Sequence, residues 1–137
     1  MLTRLSLAGF KSWQTTGDVR LAPLTGLFGA NSSGKTSLLQ ALLLLKQTAD
    51  SADRGQALHF GDKVSAVDLG DFRTVVYGHQ GSVRLGMELD WKEASPLEIK
   101  DPSRNDQLVH SSDRLGFVTR IAAANGSDGP QADIDTG

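Results

Sequence analysis

Short apolar runs dominate the first 28 residues of the chain and predict β-strands. Residues 2–10 are rich in apolar side chains and are interrupted by a glycine near their end, which favours a strand over a helix. Residues 19–22 form a second run after a turn-like Thr-Thr-Gly-Asp segment, so the opening is predicted to be a hairpin. Residues 24–28 are mostly apolar and lead directly into Gly29, which predicts a third strand.

The pattern changes to that of a helix over residues 35–48. Leucine and alanine occupy almost every side of this helix, at Leu38, Leu39, Ala41 and residues 42–45. A helix with so little polar surface is expected to be covered on most sides.

Further strands are predicted beyond this helix. They cover residues 58–60, 65–69, 74–77, 82–91 and 116–123. The run over 82–91 alternates cleanly, which indicates an antiparallel sheet with one apolar and one polar face. Residues 96–113 have no periodicity, and residues 124–137 have linker composition. We therefore expect one lobe over residues 1–123 and a linker-like tail over residues 124–137.

Composition and charge narrow the classes of function. The 137 residues include no cysteine, which excludes disulfides, thiolate zinc sites and thiol nucleophiles. The formal charge of −2 combines +4 over residues 1–49 with −6 over the remainder, so the first third is basic. No apolar run is long enough to span a bilayer, so we expect a cytoplasmic protein without a membrane partner.

One motif carries recognisable chemistry. Residues 29–36, Gly-Ala-Asn-Ser-Ser-Gly-Lys-Thr, match GxxxxGK[ST], with a predicted strand before and a helix after. In such a P-loop, glycines let the backbone wrap a polyphosphate, and the helix start adds unpaired N–H groups. Lys35 is placed to reach the β- and γ-phosphates, and the Thr36 hydroxyl to coordinate Mg²⁺. The predicted nucleotide-binding residues are Gly29, Ala30, Asn31, Ser32, Ser33, Gly34, Lys35, Thr36 and Ser37.

A family resemblance extends this prediction. Residues 7–13, LAGFKSW, followed by GANSSGKTSLLQ from Gly29, resemble the N-terminal segment of ATPases with ABC/SMC-type heads. These include RecF, the SMC proteins and, above all, the OLD-like predicted AAA ATPases of bacteria. Ser32 stands where SMC and RecF proteins usually carry glycine, which favours the OLD-like group. Residues 67–72, with Tyr77 and Gly78, are also similar to that group; the resemblance covers residues 1–91 and is strongest over 7–48.

The resemblance implies an α/β P-loop NTPase fold, the ABC/SMC-head-like N-terminal lobe, with antiparallel strands beside the nucleotide-binding strand and helix. It implies ATP and Mg²⁺ as ligands, and a homodimer of heads in the full-length ATPase. It places Asn31 near the γ-phosphate and Lys11 and Ser12 at the rim of the site. A role in DNA repair or phage defence, with DNA as a partner, follows by analogy only.

The parts needed for hydrolysis are not recognisable. No apolar strand ending in an acid follows Thr36; Asp68 and Asp90 are the nearest approximations and are predicted to be surface groups. No LSGGQ-like signature occurs either. We therefore expect an incomplete domain, with no catalytic residue in this chain and the missing parts beyond residue 137.

Three alternatives stay open at this stage. A GTPase shares the phosphate loop, and residues 113–116 match its DxxG motif, but no guanine-reading motif occurs. A small-molecule kinase is a second alternative. A phosphate-binding fragment without catalysis is the third.

Overall fold

The computed structural model describes residues 1–79, 82–123 and the backbone of 130–133, which form one antiparallel sheet and a covering helix. The strands are β1 (Leu2–Phe10), β2 (Trp13–Thr15), β3 (Val19–Arg20), β4 (Leu85–Asp101), β5 (Gln107–Ala123) and β6 (Pro130–Asp133). The α-helices are α1 (Lys35–Asp50) and the single turn α2 (Phe72–Val75), with 3₁₀ turns at Tyr77–His79 and Pro102–Arg104.

The sheet has the order β2-β1-β4-β5-β6, with β3 also pairing with β1. Every pairing is antiparallel. The register places Leu7 opposite Met87 and Leu85 opposite Ile121, and all four side chains are buried. Because neighbouring residues along a strand point to opposite faces, the intervening positions form the polar face. The predicted sheet with one apolar and one polar face is thus confirmed.

An ion-pair cluster lies on the polar face. The Arg4 guanidinium contacts Asp90 at 2.7 Å, Asp18 at 2.7 Å and Glu88 at 3.0 Å. These hydrogen bonds, led by the one to Asp90, raise the pKa of Arg4 further above its ordinary value. Asp90 lies in the middle of β4 and neutralises Arg4. It is therefore a surface group, as the sequence predicts, with a side chain that is 44% exposed, but it lies within the strand and belongs to an ion-pair cluster.

The core lies between the apolar face of the sheet and one stripe of α1. Leu38, Ala41 and Leu44 of α1 are buried against the sheet residues, and the chain after α1 adds Leu58 and Leu69. Leu39 on another side of α1 is 55% exposed. The expectation that this helix is covered on most sides is therefore wrong for the described residues, because the sheet packs against one side of it.

The predicted strand over residues 24–28 is not a strand in the structure. These residues have no regular secondary structure and no pairing partner among the described strands, and Leu24 and Phe28 are more than 90% exposed. A strand needs a neighbour to satisfy its backbone N–H and C=O groups, and no described strand runs beside this segment. The apolar character of the segment alone therefore does not make it a strand.

Three shorter strand predictions are also wrong. Residues 58–60 and 65–69 form no strand, although the N–H of Leu69 donates to the carbonyl of Phe60 at 2.8 Å. Residues 74–77 contain the end of α2 instead, because the Asp71 side chain accepts from the Thr74 N–H and caps a helical turn.

The β4–β5 hairpin is longer than its pattern predicts. Residues 96–113, which lack periodicity, belong mostly to these two strands and their connecting turn. Both faces of this distal part are largely exposed, so its sequence shows no regular alternation of apolar and polar residues. Of the predicted tail over residues 124–137, residues 130–133 form β6 beside β5; residues 124–129 and 134–137 lie outside the described residues. No helix in the described ranges is long and apolar enough to cross a membrane.

The burial of only one side of α1 can be tested with substitutions at a buried and at an exposed leucine. We expect Leu44→Ala, at a fully buried position, to lower the free energy of unfolding by about 2–5 kcal/mol. Leu39→Ala, at an exposed position of the same helix, should change it by less than about 1 kcal/mol. Denaturant unfolding followed by circular dichroism measures both. Equal losses would show that α1 is covered on both sides.

Candidate functional site

A cavity of about 590 Å³ opens at the N-terminus of α1. Three segments enclose it: the loop and first turn of α1, the turn between β1 and β2, and the segment around α2. Its lining residues are Lys11, Ser12, Asn31, Ser32, Ser33, Gly34, Lys35, Thr36, Ser37, Thr74 and His79. The structure thus brings together nine of the eleven residues that the sequence predicts for the nucleotide site, and adds Thr74 and His79.

The loop backbone uses left-handed conformations at several positions. Gly34, which precedes α1, has φ of 87°, and Gly29 has φ of 147°. Ser32 also has a positive φ, of 63°, which is uncommon for a residue with a side chain. Ser32 therefore occupies a strained position at the cavity wall.

Trp13 packs directly against Gly34. The indole Nε1–H of Trp13 donates to the carbonyl of Gly34 at 3.1 Å. A Cβ atom on Gly34 would lie 2.6 Å from both this indole nitrogen and the Ser12 hydroxyl oxygen. Gly34 is thus required twice, by its backbone conformation and by this close approach. The contact fixes the loop against the β1–β2 turn.

Lys35 folds back over the loop. Its ammonium donates to the carbonyls of Gly29 at 2.9 Å and Ala30 at 2.5 Å, and to the Ser33 hydroxyl at 3.4 Å. Gly29 and Ala30 do not themselves line the cavity, and their carbonyls hold Lys35 beside it. These neutral acceptors can be exchanged for a phosphate oxygen, which makes a stronger, charge-assisted bond with an ammonium.

Lys11 and Ser12 line the cavity from the opposite side, at the β1–β2 turn. The Lys11 ammonium donates to the Gln40 side-chain carbonyl of α1 at 2.8 Å. Partial burial lowers the pKa of Lys11. Lys11 is therefore held at the cavity rim and is not a solvated strand end.

The sequence prediction missed Thr74 and His79. Asp71 caps α2, and its carboxylate accepts from both the N–H of Thr74 at 2.8 Å and its hydroxyl at 2.9 Å. These bonds lower the pKa of Asp71, because they stabilise the charged carboxylate. Aspartate is a preferred helix N-cap residue, so Asp71 is a signal that could have placed Thr74 in the first turn of a helix. His79 is brought to the cavity by tertiary structure, so no motif spacing in the sequence predicts its position there.

The cavity is strongly suited to an anion. Two lysines, a histidine, an amide and several hydroxyls line it, and none of its lining residues in the described chain is acidic. Thr36 is exposed at the first turn of α1, where the amide groups lack helical acceptors and the helix dipole is positive. Its hydroxyl oxygen is a ligand type that Mg²⁺ accepts beside phosphate. The donor set therefore fits a polyphosphate with a divalent cation.

A family comparison agrees with this chemistry. Residues 24–109 match the family model described as "AAA domain, putative AbiEii toxin, Type IV TA system". The chain belongs to this AAA domain family. Membership implies an AAA/P-loop ATPase-like domain with a nucleotide-binding ATPase function and, usually, the use of Mg²⁺. No curated protein and no solved structure matches the chain. In this AAA domain, the matched residues include both the loop at the start of α1 and the segment around α2.

The contact between Trp13 and Gly34 can be tested against a second left-handed glycine. Gly17 has φ of 59°, and the space where a Cβ atom would lie is open. Gly17→Ala should therefore lower the free energy of unfolding only by the left-handed strain, about 1–2 kcal/mol. Gly34→Ala should cost about 1–3 kcal/mol more, because the indole must move. Chemical unfolding of the two variants and the wild type measures the difference. Equal costs would mean that the indole does not constrain the loop.

Proposed function

We propose that this AAA domain binds ATP with Mg²⁺ in the cavity at the start of α1, as part of an OLD-like or RecF-like ATPase of the ABC/SMC type. The observation that carries the proposal is the cavity lining, which joins the GxxxxGK[ST] loop to Lys11 and Ser12 and includes no carboxylate from the described part of the chain. A triphosphate needs several N–H donors and cations at close range, and this lining offers both.

Each loop residue has a defined part in this proposal. The N-terminal amides of α1 and the loop around Gly34 receive the phosphate chain at the positive end of the helix dipole. Lys35 exchanges the carbonyls of Gly29 and Ala30 for β- and γ-phosphate oxygens. Asn31 and Thr36 both line the cavity, and we propose that Asn31 meets the γ-phosphate and that the Thr36 hydroxyl binds Mg²⁺. Bound Mg²⁺ would neutralise phosphate charge and orient the γ-phosphate.

Hydrolysis needs groups that this cavity does not contain among the described residues. An attacking water must be oriented and the metal's outer ligands held by a carboxylate, and none lines the site. We therefore propose that this lobe binds the nucleotide and that catalytic groups come from outside it. In that arrangement two heads associate around ATP, and a DNA-linked role in repair or phage defence follows by analogy with OLD-like and RecF-like proteins.

The GTPase alternative is not favoured by the position of its motif. Asp113 and Gly116 lie on β5, and neither lines the cavity. The Asp113 carboxylate contacts the Lys92 ammonium at 3.2 Å, and Gly116 lies opposite Asp90. The DxxG sequence is therefore part of a β-hairpin and not of a phosphate-binding loop.

Removal of the loop lysine tests the proposal. We expect Lys35→Ala to weaken binding of Mg²⁺-ATP by at least about tenfold, because charge-assisted bonds to phosphate are lost. Lys46→Ala is the matched control, since Lys46 lies exposed on the same helix and pairs with Asp50. Isothermal titration calorimetry measures the affinities, and circular dichroism checks that both variants fold. Equal affinity of Lys35→Ala and the wild type would contradict nucleotide binding by this loop.

A further inference from the structure

Left-handed backbone conformations at residues with side chains cluster around the cavity. Five such residues occur in the described chain: Lys11, Ser32, His79, Asn105 and Asp106. The last two form the tight turn between β4 and β5, where asparagine and aspartate commonly adopt this conformation. The other three all line the cavity. Strain of this kind persists where the surrounding structure imposes it, and it is concentrated at functional sites.

His79 is held in one orientation by its own segment. Its Nδ1 atom lies 3.1 Å from the carbonyl oxygen of Arg73, and its backbone N–H donates to the carbonyl of Val76 at 3.1 Å. A carbonyl oxygen can only accept, so Nδ1 must carry the hydrogen. This bond leaves Nε2 as the ring nitrogen that can meet a ligand.

The segment that carries His79 contacts the β1–β2 turn and the residues beside it, which also contact the loop before α1. The N–H of Lys11 donates to the carbonyl of Val75 at 2.6 Å, and Phe10 forms a β-bridge with Val76. Two residues after Lys11, Trp13 binds the carbonyl of Gly34. The β1–β2 turn therefore positions the loop on one side of the cavity and His79 on another.

The polar lining indicates which part of a nucleotide His79 meets. Lysines, hydroxyls and an amide line the same cavity as His79, and no aromatic or aliphatic side chain that could stack on a base lines it in the described residues. In the imidazolium form of a histidine, both ring nitrogens carry a hydrogen and can donate. In that form Nδ1–H still donates to Arg73, and Nε2–H donates to a phosphate oxygen.

We propose that His79 is a phosphate-binding residue of this site, and that its strained backbone is retained to hold the imidazole against the phosphate chain. The inference rests on the proposed function, since it assigns a second wall to the same nucleotide site. It names the polyphosphate, and not the base or ribose, as the part that His79 recognises.

Two probes and three variants test this inference. Mg²⁺-ATP and Mg²⁺-tripolyphosphate are titrated into the wild type, His79→Ala, His79→Gly and the control His110→Ala, whose histidine is exposed on β5 away from the cavity. We expect both His79 variants to bind both probes about tenfold more weakly, because each loses a hydrogen bond to a charged group. His110→Ala should bind like the wild type.

His79→Gly separates binding from folding. Glycine adopts the φ of 54° found at this position without strain, so this variant should unfold at a temperature no lower than His79→Ala. A folded His79→Gly variant that still binds weakly supports direct recognition of phosphate.

Two outcomes overturn the inference while the proposed function stands. In the first, His79 variants bind both probes like the wild type while Lys35→Ala does not. In the second, they lose affinity for ATP and keep it for tripolyphosphate, which would place the contact on the nucleoside. A wild type that binds neither probe overturns both proposals.

Discussion

The turn between β1 and β2 holds the site together, because its backbone and side chains contact both walls of the cavity. The indole of Trp13 closes on Gly34 on one side, and the N–H of Lys11 binds the carbonyl of Val75 on the other. The loop before α1 and the segment around α2 are far apart in sequence, and both contact residues 11–13. A side chain at position 34 would force the two surfaces apart. Contacts made by residues 11–13 therefore position both walls of the site.

Charge is distributed so that this site stays cationic. The acidic residues nearest to β1 surround Arg4 on the polar face of the sheet, where Asp18, Glu88 and Asp90 share one guanidinium. Two of the three lysines of the basic first third, Lys11 and Lys35, line the cavity. A nearly neutral chain thus has a cavity suited to an anion, because both of these lysines line it while Asp18, Glu88 and Asp90 are paired with Arg4.

The sequence predicts those features that follow from local chemistry. The strand over residues 2–10, the helix from Lys35 and the two-faced strand from Leu85 depend on local apolar patterns, and the loop chemistry depends on a contiguous motif. The prediction fails where the local structure depends on contacts with other parts of the chain. Residues 24–28 are apolar enough for a strand, but no described strand pairs with them. At residues 74–77, β-branched residues favour a strand, and the Asp71 cap imposes a helical turn instead. His79 joins the site only through tertiary contacts.

The central claim is that the loop, the β1–β2 turn and the segment around α2 form one phosphate site. Two-dimensional NMR of the wild-type chain during titration with Mg²⁺-ATP tests it most directly. We expect saturable shifts at the amides of residues 30–37, together with Lys11, Ser12, Thr74 and His79, and none along the distal β4–β5 hairpin. Shifts confined to another surface, or absent from the loop at saturating nucleotide, would contradict it.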